Sequence, residues 1–273
     1  MDERLHLDPD LVIPILEAFV RHEVERAGFR RAIVGLSGGV DSAVSAALAV
    51  RALGAERALL VLMPHRVSSP ESVSDARLVA GLLGVEPLEV PITGLTEGYG
   101  GWAGLDRTRA GNLMARMRMA VLYDLSAEHQ ALVIGTSNKT ELLLGYGTLH
   151  GDLASAINPV GDLYKSQLRQ LAAALGLPEP VLTKAPSADL WQGQTDEADL
   201  GVDYTTADAV LFRLVDERKT VAQTAAEGFD EDLVRRLWER VRATEYKRHP
   251  PVICKLSDRT IGIDWLYPRD WGT

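Results

Sequence analysis

Ala32-Ile33-Val34-Gly35-Leu36-Ser37-Gly38-Gly39-Val40-Asp41-Ser42, running on into the alanine-rich segment Ala43 to Leu53, is the stretch that decides the fold. A short β-branched apolar run, a Ser-Gly-Gly turn and an amphipathic segment read in that order as strand, tight turn and helix. Two successive glycines let backbone N–H groups approach a ligand closely, and the helix start adds unpaired N–H donors at the positive end of its dipole. Such a turn binds anions. It is not a Walker loop, because no Lys-Ser/Thr follows the glycines, and the G-x-G-x-x-G spacing is missing too. Asp41 sits where the lysine would be. A carboxylate facing phosphates is repulsive unless a divalent cation lies between them, so one reading makes Asp41 an oxygen ligand of a magnesium nucleotide. The other makes Asp41 or Ser42 a plain cap of the helix that follows the glycines.

The flanking chain repeats the alternation. Leu11 to Ala27 carries apolar residues at helical spacing and stops at Gly28; Ala58 to Met63 reads as a buried strand broken by Pro64. Ser68-Ser69-Pro70 opens a helix that runs to about Leu83, and Leu88 to Ile92 is a third strand. Ala131 to Gly135 is a fourth. Strand and helix in alternation give an α/β fold, an open parallel sheet with helices on both faces. Between the third and fourth strands, Thr93 to Gly111 is glycine-rich and reads as a surface loop, either flexible or ordered by a ligand. From Leu113 to Leu125 nearly every residue is apolar, which predicts a helix packed almost all round. Arg116 and Arg118 interrupt it, and each requires a carboxylate or a phosphate nearby.

In an open parallel sheet, ligands gather at the carboxyl ends of the strands. The turn Thr136-Ser137-Asn138-Lys139-Thr140-Glu141 leaves the fourth strand there, as the Gly38-Gly39 loop leaves the first. Glu141 then either faces Asp41 across a metal nucleotide or is a first-turn glutamate favoured by the helix dipole.

A net charge of −9 argues against a general nucleic-acid or anionic-membrane binder, so an anionic ligand must be held locally. The single cysteine, Cys254, excludes an intramolecular disulfide framework and a multi-cysteine zinc site. Met1 to Asp10 has no basic-then-apolar signal pattern, no apolar run reaches membrane-spanning length, and the chain reads as cytoplasmic.

Ser37 to Ser42 resembles the PP-loop of the ATP pyrophosphatases, whose fold is adenine nucleotide alpha hydrolase-like. Further motifs narrow the resemblance to NAD synthetases: Asn112 to Met119, Gly135 to Glu141, Gly145 to Asp152, Gly161 to Lys165, and Lys184 to Glu197. The similarity spans roughly residues 29 to 250 and implies one synthetase domain over 1–273, with a helical segment at about 205–250 and a tail at 251–273. The resemblance implies that ATP is held by Gly35, Leu36, Ser37, Gly38, Gly39, Val40, Asp41, Ser42, Thr136, Lys165 and Ser187. It assigns magnesium to Asp41 and Glu141, and deamido-NAD to Arg116, Asp152, Tyr246 and Lys247, with Asp41, Glu141 and Lys165 serving catalysis. The activity it implies is a ligase reaction of NAD biosynthesis, amidation of deamido-NAD with ammonia, which yields NAD, AMP and pyrophosphate through an adenylated nicotinate. A homodimer, with no nucleic-acid or membrane partner, is also implied.

Leu149 and Ala156 depart from the family pattern, standing where bacterial relatives carry a lysine and an aspartate against deamido-NAD. Tyr246 likewise replaces a common histidine. Lys184 to Tyr204 reads as a surface excursion or as a lid over ATP. Only Met1 to Arg31 precede the nucleotide strand, too few residues for a glutaminase domain, so free ammonia is the expected nitrogen donor.

Overall fold

The computed structural model of the protein describes residues 2–187, 189, 191 and 194–265. Residues 188, 190, 192 and 193 of the Lys184 to Glu197 motif, and 266–273 of the tail, lie outside the described residues.

Four parallel strands, β1 (Arg31–Gly35), β2 (Ala58–Leu62), β3 (Leu88–Glu89) and β4 (Ala131–Val133), form one sheet in the order β3-β2-β1-β4. The glycine-loop strand is therefore central, with Ile33 in register with Leu59 on one side and Val133 on the other. Twelve α-helices are described: α1 (Pro9–Arg26), α2 (Val40–Leu53), α3 (Pro70–Leu82), α4 (Thr93–Glu97), α5 (Arg107–His129), α6 (Lys139–Leu144), α7 (Lys165–Ala174), α8 (Glu179–Thr183), α9 (Asp196–Leu200), α10 (Tyr204–Leu211), α11 (Val221–Ala225) and α12 (Glu231–Ala243).

Successive side chains of a strand point to opposite faces, and the cores divide accordingly. Ala32, Val34, Leu60, Leu62, Leu132 and Ile134 join the core shared with α1, α2 and α7. Ile33, Val61, Met63, Ala131 and Val133 join the other, under Met114 of α5. Ala43, Ala46, Ala47 and Ala49 are all buried, and their small side chains let α2 lie close to the central strand. A third core, entirely helical, gathers Leu144, Tyr164, Tyr204, Val210, Leu237 and Val241 beyond the sheet.

Three expectations change. The Leu88 to Ile92 strand shortens to Leu88–Glu89 because Pro91 lacks an N–H to continue the ladder, although Val90 N still donates to Leu62 O at 2.8 Å. The Thr93 to Gly111 segment is largely helical rather than a loop. Ile92 leads straight into α4, and Asp106 caps α5 by accepting from Arg109 N at 2.8 Å, six residues before the expected helix start at Leu113. An aspartate at the cap outweighs the glycine content around it. Third, α5 is not enclosed all round within one chain. Met114 and Ala115 are buried, but Tyr123 is 40% exposed and Ala120 is exposed too.

Asp208 of α10 locks three helices together. Its fully buried carboxylate accepts from Thr140 Oγ1 at 2.5 Å on α6 and from Ser166 N at 2.7 Å on α7, while Lys165 N donates to that same Thr140 Oγ1 at 3.0 Å. Burial drives the Asp208 pKa up, and these donors oppose it. Substituting Asp208→Asn turns an amide N–H₂ toward a donor and should cost about 1–3 kcal/mol of stability. Urea unfolding followed by far-UV circular dichroism measures that loss, and an unchanged midpoint would show the contacts to be dispensable.

Candidate active site at the carboxyl edge of the sheet

The loop after β1 wraps around Ser42. Ser37 N donates to Ser42 Oγ at 3.2 Å, and Ser42 Oγ donates to Gly39 O at 3.0 Å. Gly38 has φ +83°, and a Cβ there would lie 2.2 Å from Ser72 O, so only glycine fits. Gly39 caps α2 without a side-chain hydrogen bond, leaving the first turn of the helix to an external acceptor.

That loop forms one wall of a cleft of about 740 Å³, whose lining also includes the end of β2, the start of α3, and the Gly135–Ser137 turn after β4. Three helix starts converge in it: Asp41 in the first turn of α2, Glu141 in the first turn of α6 and Lys165 at the start of α7. The Lys165 side chain is 2% exposed; its Nζ contacts Asp41 Oδ2 and lies 3.3 Å from Glu141 Oε1. Asn138 completes the group. Its Nδ2 donates to Asp41 Oδ1 at 2.7 Å, while its Oδ1 accepts from Glu141 N at 3.0 Å and its own N donates to Glu141 Oε2 at 3.3 Å. Glu141 is thus a capping-box residue and a cleft carboxylate at once.

Burial, and next the charge of Asp41, push the Glu141 carboxyl up to about 8, against the pull of Lys165. Burial alone would lower the Lys165 pKa, but Asp41 and Glu141 together raise it. One buried ammonium between two carboxylates leaves the cluster short of positive charge, and a hard divalent cation with oxygen ligands suits that deficit. No group of three or more His, Cys, Asp or Glu residues able to hold a metal ion occurs among the described residues. Asp41 and Glu141 can therefore supply only part of such a cation's shell, the rest falling to ligand oxygens and water.

Other sequence-predicted residues divide by position. Thr136, Ser187, Asp152 and Lys247 line the cleft. Asp152 is exposed within the cleft, and its Oδ1 accepts from Thr148 N at 2.9 Å; desolvation by the protein around the cleft raises its pKa, opposed by that amide. Lys247 Nζ donates to Gly145 O and Gly147 O, both at 2.8 Å. Arg116 and Tyr246 are not in the wall. Arg116 is exposed, with Nε donating to Leu149 O at 3.3 Å, and Tyr246 is 61% exposed. Each nevertheless adjoins a wall residue, Ala115 or Lys247.

Of the two helix arginines it is Arg118 that enters the cleft. Its Nε donates to Met63 O at 3.1 Å, and burial lowers its pKa while Asp189 and Asp152 counter from a distance. Spacing alone did not choose between Arg116 and Arg118, because the face of α5 that meets β1 and β4 is set by tertiary packing.

The NAD synthase family model matches residues 12–251, most of the chain. This protein belongs to the NAD synthase family. Among its relatives, an "NH(3)-dependent NAD(+) synthetase" of Chlorobium phaeobacteroides (strain BS1) is 54% identical over 268 residues, covering 98% of this chain and 97% of that one. The solved "NH3-dependent NAD synthetase" from Campylobacter jejuni superposes with a TM-score of 0.78 at 33% identity, covering 92% of this chain and all of that one. An "NMN synthetase" from Francisella tularensis gives 0.79 at 29% identity, with the same coverage. The NAD synthase match contains every cleft residue described above, whereas residues 252–265 fall beyond it.

Gly38→Ala should leave the fold formed but reshape the loop, since the added carbon must move the Ser72 carbonyl and the positive φ costs roughly 1–3 kcal/mol. Isothermal titration with magnesium ATP should show affinity weakened at least about tenfold. Wild-type affinity would mean that the loop does not touch the nucleotide.

Proposed function

We propose that this protein is an ammonia-dependent NAD synthetase that uses ATP to convert deamido-NAD into NAD. The observation that carries the reading is the convergence of a glycine loop and three helix starts bearing Asp41, Glu141 and Lys165 on one cleft. The names of its relatives supply the acceptor.

ATP is assigned to Gly35–Ser42, Thr136, Lys165 and Ser187, its phosphates meeting the N–H groups of the α2 start. Asp41 and Glu141 would hold magnesium, which when bound neutralises phosphate charge. Lys165 adds a fixed positive charge, already oriented by the two carboxylates, toward the departing pyrophosphate. A nicotinate carboxylate oxygen attacks the α-phosphorus and the bond to the β-phosphate oxygen breaks, releasing pyrophosphate. Ammonia then adds to the acyl carbon, the carbon–oxygen bond to AMP breaks, and loss of a proton leaves the amide. No side-chain nucleophile is required, so the protein contributes positioning and electrostatics.

Deamido-NAD is assigned to Arg116, Asp152, Tyr246 and Lys247, with Arg116 and Tyr246 toward the outer end of the dinucleotide. The incompletely covered face of α5 supports a homodimer; beside it Phe29, Tyr123, Ala127 and Leu132 line a shallow apolar groove. No described helix is long and apolar enough to cross a membrane. A single cysteine supports a cytoplasmic setting.

The deciding assay mixes protein, magnesium ATP and ammonium with either deamido-NAD or nicotinate mononucleotide. NAD and AMP formed in equal amounts from the dinucleotide are expected, with glutamine unable to replace ammonium. Preferential amidation of the mononucleotide would transfer the reading to the activity named for the Francisella protein. In the same assay Asp41→Asn and Glu141→Gln should each lower kcat at least about a hundredfold with the fold intact. Near wild-type turnover at low magnesium in either variant would refute the metal assignment.

A further inference from the structure

We propose that Asp196 is a positioning residue for Lys165, joined to it through Tyr204 and fastening Pro186 to α9 at the cleft wall. This rests on the assignment of Lys165 to the nucleotide.

Asp196 begins α9 and is 4% exposed. Its two oxygens are each taken by a neutral donor: Tyr146 O–H donates to Oδ1 at 2.9 Å and Tyr204 O–H to Oδ2 at 3.0 Å. Its backbone N donates to Pro186 O at 2.9 Å, beside Ser187 in the cleft wall. Tyr204 is itself buried, and the Lys165 ammonium sits over its ring, 5.0 Å from the centroid. An unbroken path of contacts therefore runs from the Pro186 carbonyl through Asp196 and Tyr204 to Lys165. The Tyr146 proton is shared with Asp199, whose Oδ2 also lies 2.9 Å from that hydroxyl, and Gln194 Nε2 donates to the same Asp199 oxygen at 2.9 Å, so a second link ties α9 to the Gly145–Gly147 turn.

The choice of donors explains the role. A lysine or arginine partner would cancel the charge of Asp196, whereas tyrosine hydroxyls hydrogen-bond the carboxylate without cancelling it; burial raises the Asp196 pKa, and Lys165 and the two hydroxyls oppose that rise. Asp196 thus adds to the field that holds the Lys165 ammonium. The cation–π contact restricts where the ammonium can sit, and the Tyr204 hydroxyl fixes the ring. With α9 displaced, Asp196 leaves, the ring loses its anchor, and Lys165 is held by Asp41 and Glu141 alone.

The test compares Tyr204→Phe, Asp196→Asn and the double variant of the full chain with the wild type, measuring kcat, both KM values and the melting temperature. Each single substitution should lower kcat about tenfold while the deamido-NAD KM stays within about twofold, because substrate binding is retained and the ammonium is misplaced. The double variant should be no slower than Asp196→Asn, since both cut the same path. Wild-type kcat in both singles, additive losses, or losses that follow the melting temperature would overturn the proposal. If Asp196→Asn does not fold, Tyr204→Phe decides: reduced kcat at unchanged melting temperature upholds the path, and wild-type kcat breaks it. Lys165→Met separates the two levels. If that variant turns over like wild type, the Lys165 assignment fails and the proposal with it; if it is inactive while Tyr204→Phe is fully active, only the role of Asp196 falls.

Discussion

An ammonium buried at the start of a helix is the contact on which the site depends. Lys165 opens α7, where the helix dipole opposes a positive charge, and its side chain is withdrawn almost wholly from water. Both effects are unfavourable, and a buried charge left unpaired costs several kcal/mol. Asp41 and Glu141 offset them. Each is itself placed at a helix start, where the dipole favours a carboxylate, so three segments far apart in sequence stabilise one another only when assembled.

The sheet makes that assembly possible. β1 is central, and its loop and the turn after β4 emerge side by side because Ile33 and Val133 are in register. Asn138 spans the gap, touching Asp41 with its amide nitrogen and capping α6 with its oxygen. Behind them the helical core brings α10 against α6 and α7, where Asp208 ties Thr140 to Ser166. The anion-binding face is thereby backed by buried hydrogen bonds and hydrophobic contacts, and its charged groups have little room to relax away from each other.

Local charge, rather than total charge, governs what this cleft accepts. The chain carries −9 overall, yet Lys165, Arg118, Lys247 and the open helix start of α2 all face inward. An anion entering the cleft leaves a negative exterior for a few fixed donors. The excess of carboxylates around Lys165 then creates a demand for a further cation, which under the proposed function a metal-bound nucleotide would meet.

The amino-acid sequence by itself determined the strand–turn–helix of residues 32–53 and the parallel α/β architecture, and singled out Asp41, Glu141 and Lys165, which the structure brings together, because periodicity, glycine turns and motif order are local properties. Five ordered motifs also carried the family. Other features were decided only by the tertiary structure. Glycine content read Thr93 to Gly111 as a loop, but the Asp106 cap and the packing of Met114 under the sheet made most of it helix. Apolar composition enclosed the whole of α5, while the fold buries one side and leaves Tyr123 outside. Arg116 and Arg118 are two residues apart and hence on different sides of the helix, and only its docking against β1 and β4 shows that Arg118 is the one turned into the cleft. The Asp196–Tyr204–Lys165 path joins residues from three helices, and no spacing in the chain encodes it, because side-chain contacts between segments exist only once the segments have packed.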